Sequence, residues 1–178
     1  MKTDKEIDDL IGKANFWNPI RTVNLFHYVG GVEEFDEHID PNSYWKAPNI
    51  ADIEVRPNGL VLKMMHKFKI YKVAIKNNDL LTITLEDKEQ IKVNKERSVV
   101  GRAVLGGILF GPVGAIVGGM TGLKQTIISA EMPDLLLTFS LGSNIENMEK
   151  AIIFSCKYKD KVKAYEFLSK NMPSKFKF

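Results

Sequence analysis

The spacing of apolar positions changes several times along this chain, and each change marks an element. Ile7, Leu10, Ile11 and Ala14 recur at helical spacing, which predicts a short amphipathic helix over residues 4–14. Residues 15–48 hold no sustained period. They are rich in aromatic residues and punctuated by Pro19, Gly30, Gly31, Pro41 and Pro48, so they read as short elements and loops. From residue 51 the chain alternates. "ADIEVRPNGLVLKMM" is two strands around a tight turn that Pro57 and Gly59 suit. In "HKFKIYKVAI", Phe68 and Ile70 alternate with Lys67 and Lys69, which places the apolar pair in a core. In "LLTITLEDKEQIKV", Leu81, Ile83 and Leu85 face one way and Thr82 and Thr84 the other, with a charged turn at residues 86–89 making a further hairpin. "DLLLTFSL" and "KAIIFSCKY" add two strands, and in the closing "KDKVKAYEFLSKNM" Val162, Tyr165 and Leu168 share a helical face. Several short strands followed by one helix is an α+β pattern.

One segment fits neither period. Residues 98–124, "SVVGRAVLGGILFGPVGAIVGGMTGLK", hold eight of the thirteen glycines and no charge between Arg102 and Lys124. A phosphate loop needs Lys and Ser/Thr directly after its last glycine, and a dinucleotide fingerprint needs its glycines in one tight turn; this segment offers neither. Its uncharged length approaches the ~20 residues of a membrane-spanning helix. However, Gly111 and Pro112 stand at its centre, where a helix bends or breaks. A helical hairpin over residues 99–123 follows. Ala103, Gly107 and Gly111 recur every fourth position before the bend, and Gly114, Gly118 and Gly122 after it, so each limb carries a smooth strip that lets backbones approach. Large apolar residues, Ile108, Leu109, Ile116 and Val117 among them, point away, and the hairpin brings Arg102 and Lys124 together where they face lipid headgroups. Three uses stay open: membrane association, self-association through the strips, and packing within the protein's own core.

The same residues resemble a pattern in bacterial and phage proteins, where a "GRA…GG…LFG…GA…VGG…TG" block interrupts a small β-domain likened to the pleckstrin-homology (PH) and GRAM group. The likeness is closest over residues 98–122 and looser over "KIYKVAIKNNDLLTITLEDKEQI" and the strand and helix that follow. It implies a PH-like barrel or sheet with a C-terminal helix and an inserted glycine-rich hairpin, and a lipid- or protein-binding module rather than a reaction.

Composition narrows the rest. With 44% hydrophobic and 26% charged residues the chain is globular. Its net charge of +3 is spread among 22 acidic residues, without the basic footprint of a nucleic-acid binder. A single cysteine, Cys156, excludes an intramolecular disulfide and suits a reducing compartment, and "MKTDKEIDDLIGKA" lacks the apolar core of a signal peptide. Asp36, His38 and Asp40 would share a strand face in the manner of metal ligands, but a solvated acidic edge is the simpler reading. His27 and His66 read as partly buried structural histidines, and Cys156 as a small buried hydrophobe. Lys63, Lys67, Lys69, Lys72 and Lys76 crowd one stretch that either meets anionic headgroups or is simply solvated. The aromatic runs "FHY" and "SYW" belong to core or interface, and the tail "KNMPSKFKF" either touches a membrane or frays.

The sequence therefore predicts a non-enzymatic protein without cofactor or metal, on the cytoplasmic side and peripheral to the inner face of a membrane. It has an N-terminal extension over residues 1–50 and a PH-like domain over 51–178. Its partners are membrane lipid or protein, including a second copy of itself, and not nucleic acid.

Overall fold

The structure is a computed structural model that describes residues 3–17, 19–38, 50–87, 90, 134–142 and 150–177. Its elements, in order, are α1 (Asp4–Ile11), β1 (Arg21–Gly30), α2 (Glu33–Asp36), β2 (Ile50–Arg56), β3 (Gly59–His66), β4 (Lys69–Lys76), β5 (Leu80–Asp87), β6 (Leu135–Leu141), β7 (Lys150–Cys156), α3 (Lys161–Asn171) and β8 (Phe176–Lys177). The strands form one sheet in the order β4-β3-β2-β1-β7-β6-β5-β8. Two antiparallel meanders, β1 to β4 and β5 to β7, are thus joined through the β1–β7 pairing. A sheet-rich chain closed by a C-terminal helix is what the resemblance implies. The hairpin over 99–123 lies outside the described residues.

Alternation builds the core. Ala51 and Ile53 of β2 and Leu60, Leu62 and Met64 of β3 are buried, and Ile83 and Leu85 join them from β5. β6 and β7 add Leu135, Leu137, Phe139, Ile152 and Phe154. Helix α3 seals this core with Ala164 and Leu168, and Met172 follows directly. The expected face of that helix was different: Val162 and Tyr165 are exposed, and only Leu168 of the three points inward. The reason is phase. Ala164 and Leu168 form an i, i+4 stripe, and the small Ala164 lets the helix lie close to the sheet.

Three other expectations are corrected. Residues 15–48, expected to be short elements and loops, supply the ten-residue β1, which lies between β2 and β7. Register shifts between Val23 and Phe26 and between Tyr28 and Gly30 flip its pleat, so Phe26, Tyr28 and Val29 are all buried and no clean alternation survives. Phe68 and Ile70 are exposed and not core: Lys67 and Phe68 are the two residues of the β3–β4 turn, both with positive φ (46° and 64°). The buried face of β4 is instead set by Ile75, with Tyr71 and Val73 packed against the core. Leu81 is also exposed, because a shift between Leu80 and Thr82 puts Leu80 into the core in its place. The tail does not simply fray. Ile83 N–H donates to Lys175 O (2.8 Å), and β8 pairs parallel with β5. Beyond Gln90, the strand expected over "QIKV" lies outside the described residues.

Helix α1 forms where its pattern predicts but ends at Ile11, so Ala14 lies beyond it. A capping box fixes its start: Thr3 N–H donates to Glu6 Oε2 (2.6 Å) and Glu6 N–H to Thr3 Oγ1 (3.3 Å). Ile7 and Ile11 are buried against Val61 and Ala74, on the side of β3 and β4 away from the main core. At the far end Asn58 N–H donates to Ile11 O (2.9 Å). Gly59 permits this close approach, since a Cβ there would stand 2.7 Å from Ile11 and 2.2 Å from Ile75 O.

Candidate functional site

The residues singled out in the sequence, Ala103, Gly107, Ile108, Leu109, Gly111, Pro112, Gly114, Ile116, Val117, Gly118 and Gly122 with Arg102 and Lys124, all lie outside the described residues. What the structure defines is the base from which they are carried. β5 and β6 pair without a break from Thr82↔Ser140 to Asp87↔Leu135, so the chain leaves and re-enters the sheet at neighbouring positions. The exit is ordered by a reciprocal pair of bonds: Asp87 N–H donates to Gln90 Oε1 (2.9 Å) and Gln90 N–H to Asp87 Oδ1 (3.0 Å). Lys161 reaches Asp87 (3.4 Å) and lies over the Tyr158 ring (5.6 Å), while Tyr158 N–H donates to Asp134 Oδ2 (3.4 Å). The start of α3 thus holds both ends of the base. Among the described residues no helix is long and apolar enough to cross a membrane.

The lysine-rich stretch divides into paired and free positions. Glu54, almost fully buried, accepts from Arg56 Nε (2.5 Å) and from Lys63, and Arg56 reaches on to Asp8 (3.0 Å). Lys72 pairs with Asp4 (2.7 Å), which holds the Asp4 carboxyl below its usual range through their hydrogen bond and charge attraction. These contacts strap α1 to the sheet, so Lys63 and Lys72 serve structure. Lys67 and Lys69, at the β3–β4 turn, are exposed and make no ion pair among the described residues. They do not share a strand face as expected, because Lys67 is in the turn. A two-residue turn with both φ values positive has the type I′ signature and normally takes Asn-Gly. Lys67 and Phe68 hold it at about 1 kcal/mol or more each in backbone strain.

Asp36 and His38 do not lie on the strand considered for them. Asp36 ends the short α2, not a strand, and its Oδ1 accepts from the Tyr28 hydroxyl (2.6 Å), whose oxygen in turn accepts from Val32 N–H (2.6 Å). His38 stacks on His66 (5.7 Å) and packs at a tilt against Tyr71 (4.2 Å), and Asp40 lies outside the described residues. No group of three metal-ligating side chains occurs among the described residues. His27 is half-buried, and its burial, aided by Lys157, lowers its pKa.

Cys156 is buried, and burial, with Asp160 and Asp134 nearby, pushes its thiol up to about 11. Reactivity needs the thiolate, so the native protein is expected to resist iodoacetamide at pH 8 and to label rapidly once unfolded in urea. Fast labelling of the native chain would contradict this burial. Between the ordinary thiol value of 9.0 and about 11 the unfolded chain releases its proton first, so this group removes stability as pH rises through that window.

Sequence reasoning missed one surface, the outward face of the β2–β4 end. Its signal was present in "LVLKMMHKFKI", where apolar residues occupy both parities and so cannot all face one core.

Residues 44–160 match the model of a protein family described as a glycine zipper containing PH domain, a match that runs from β2 through the glycine-rich segment to β7. No curated protein and no solved structure matches the chain.

Proposed function

The chain belongs to this family of PH domains that contain a glycine zipper, and on that premise we propose that it is a non-enzymatic binding module whose glycine-rich segment associates with a membrane. The observation that carries the reading is the position of the segment. β5 and β6 pair directly and bury their apolar faces with the other strands, so the uncharged residues 103–123 are not needed to complete that ladder. Large apolar side chains in an uncharged stretch of this length favour a lipid environment, with Arg102 and Lys124 at its headgroup boundary. The sheet, held at the base by Asp87, Asp134, Tyr158 and Lys161, positions the segment. A single buried cysteine supports the reducing, cytoplasmic side of that membrane.

Flotation with phosphatidylcholine–phosphatidylglycerol vesicles tests the reading. The full chain is expected to float. The variant I108S/L109S/I116S/V117S is expected to bind at least roughly tenfold less, given the ~1.5–3 kcal/mol carried by each large apolar side chain that leaves water. Undiminished binding by the variant would remove the segment from the membrane. The repeat of small residues every fourth position supports a second reading, self-association between copies. In that case G107L/G114L/G118L lowers the sedimentation mass of a chain that does not float.

A further inference from the structure

We propose that this chain pairs with a second copy of itself through a reciprocal knob and hole, in which Trp17 of each copy enters the other's open cavity between the β2–β3 turn and the end of α3. The inference goes beyond the reading above and makes no use of the glycine-rich segment.

The knob is the connection between α1 and β1. Phe16 is 87% and Trp17 84% exposed, with Ile20 nearby at 46%. The two rings meet edge to face at 5.4 Å, and Trp17 N–H donates to Asn15 Oδ1 (3.0 Å), so the pair is held in one shape while it stands in water. Single exposed apolar residues are ordinary. An adjoining phenylalanine and tryptophan, fixed against each other and clear of the core, are the kind of anchor on which interfaces are built.

The hole lies next to it. A cavity of about 170 Å³ opens between Pro57, Met172 and Pro173, with Arg56 and Lys175 on its walls. A cavity of ~150 Å³ holds one benzene ring, so this one admits an aromatic side chain from its open side. Its chemistry suits an indole better than a phenyl ring. The apolar walls receive the body of the ring, and the two cations are drawn to its π-system. The hydroxyl of Ser174, also in the lining, offers an acceptor for the indole N–H.

Placement makes the contact reciprocal, because both ends of the connection are fixed at the cavity rim. At one end Gly12 packs against Pro57, where a Cβ would stand 3.4 Å from it. At the other, Arg21 donates to Asn171 Oδ1 (3.0 Å), and Pro57 and Asn171 both line the cavity. Trp17 follows Gly12 by five residues, so it stands no more than about 18 Å from the rim. A knob beside the hole that fits it makes a surface complementary to itself, and a two-fold axis between them fills both holes at once. Four aromatic side chains at ~150–250 Å² each, with the walls that receive them, bring the contact to roughly the 1,200 Å² at which specific interfaces begin.

Sedimentation of the full chain over a concentration series, without lipid, tests this. The native chain is expected to dimerise, and so is G107L/G114L/G118L. W17S, which removes the knob, and S174F, which fills the hole, are each expected to raise the dissociation constant roughly tenfold or more. Both should keep the native urea midpoint, since Trp17 and Ser174 are exposed. Mixed together, W17S and S174F should regain part of the association, because one intact knob then meets one intact hole. With W45F leaving Trp17 as the sole tryptophan, its emission should shift to the blue as the dimer forms. A native chain that stays monomeric overturns the proposal, and blue emission from that monomer would place the ring in its own cavity. A dimer that W17S and S174F leave intact overturns it as well; if G107L/G114L/G118L alone dissolves that dimer, the contact belongs to the glycine-rich segment.

Discussion

Replacing Phe154 with alanine is expected to cost about 3–5 kcal/mol of folding stability, read as a lower urea midpoint at unchanged slope. The size follows from what the ring touches. Phe154 is fully buried on β7, where the two meanders join, and it packs against Phe139 at 5.5 Å, Tyr28 at 5.7 Å and Phe26 at 6.3 Å. Its removal opens a cavity among neighbours on β1 and β6 that cannot all collapse into it. Domains of this kind hold only about 5–15 kcal/mol, so the variant loses a large share of its margin. A loss below about 1.5 kcal/mol would mean that the β1–β7 junction is not the centre of the core.

Glu54→Gln comes second, with an expected loss of about 3 kcal/mol. Glu54 is 1% exposed and answers two cations, Arg56 and Lys63, beneath α1. Removing its charge leaves Arg56 buried with only Asp8. Asp8→Asn, at the better-hydrated end of the same network, is expected to cost less than about 1 kcal/mol. The double variant should fall short of the sum, because the two carboxylates share Arg56. Hydrogen exchange supplies a second readout: α1 amides should lose protection in Glu54→Gln before those of β6 and β7. Equal loss across the sheet would show that the network supports the core itself and not the attachment of α1.

The parts of this fold that were legible in sequence are those where one rule acts alone. β2, β3, β6 and β7 alternate or run apolar between turn residues, and α1 has a clean helical stripe, so their existence could be read directly. Legibility failed where two phases overlap. β1 carries two register shifts that put Tyr28 and Val29 on the buried side in succession, which no period of two describes. β4 was assigned to the wrong face because the turn begins at Lys67, one residue inside the apparent alternation, and a Lys-Phe pair gives no glycine signal for positive φ. Leu81 failed for the same reason as β1, displaced by the shift beside Leu80. The outward row of Ile50, Met65 and Ile70 needs three strands in register to become visible as a surface, and register is a tertiary property. The glycine-rich segment shows the converse. Its pattern was plain in the sequence and matches a family, while its position on the molecule is known only through the strands that flank it.

The pairing of Asp87 with Leu135 has a consequence for how this protein evolves. Antiparallel partners stand ~5 Å apart, so the sheet offers a socket into which any chain with adjoining ends can be spliced. The entropic penalty of a longer splice grows only with the logarithm of its length, so an insert of several dozen residues costs about 2 kcal/mol more than a short turn. Selection can therefore lengthen, shorten or replace what the socket carries without redesigning the scaffold, and the cargo and the sheet are free to change at different speeds.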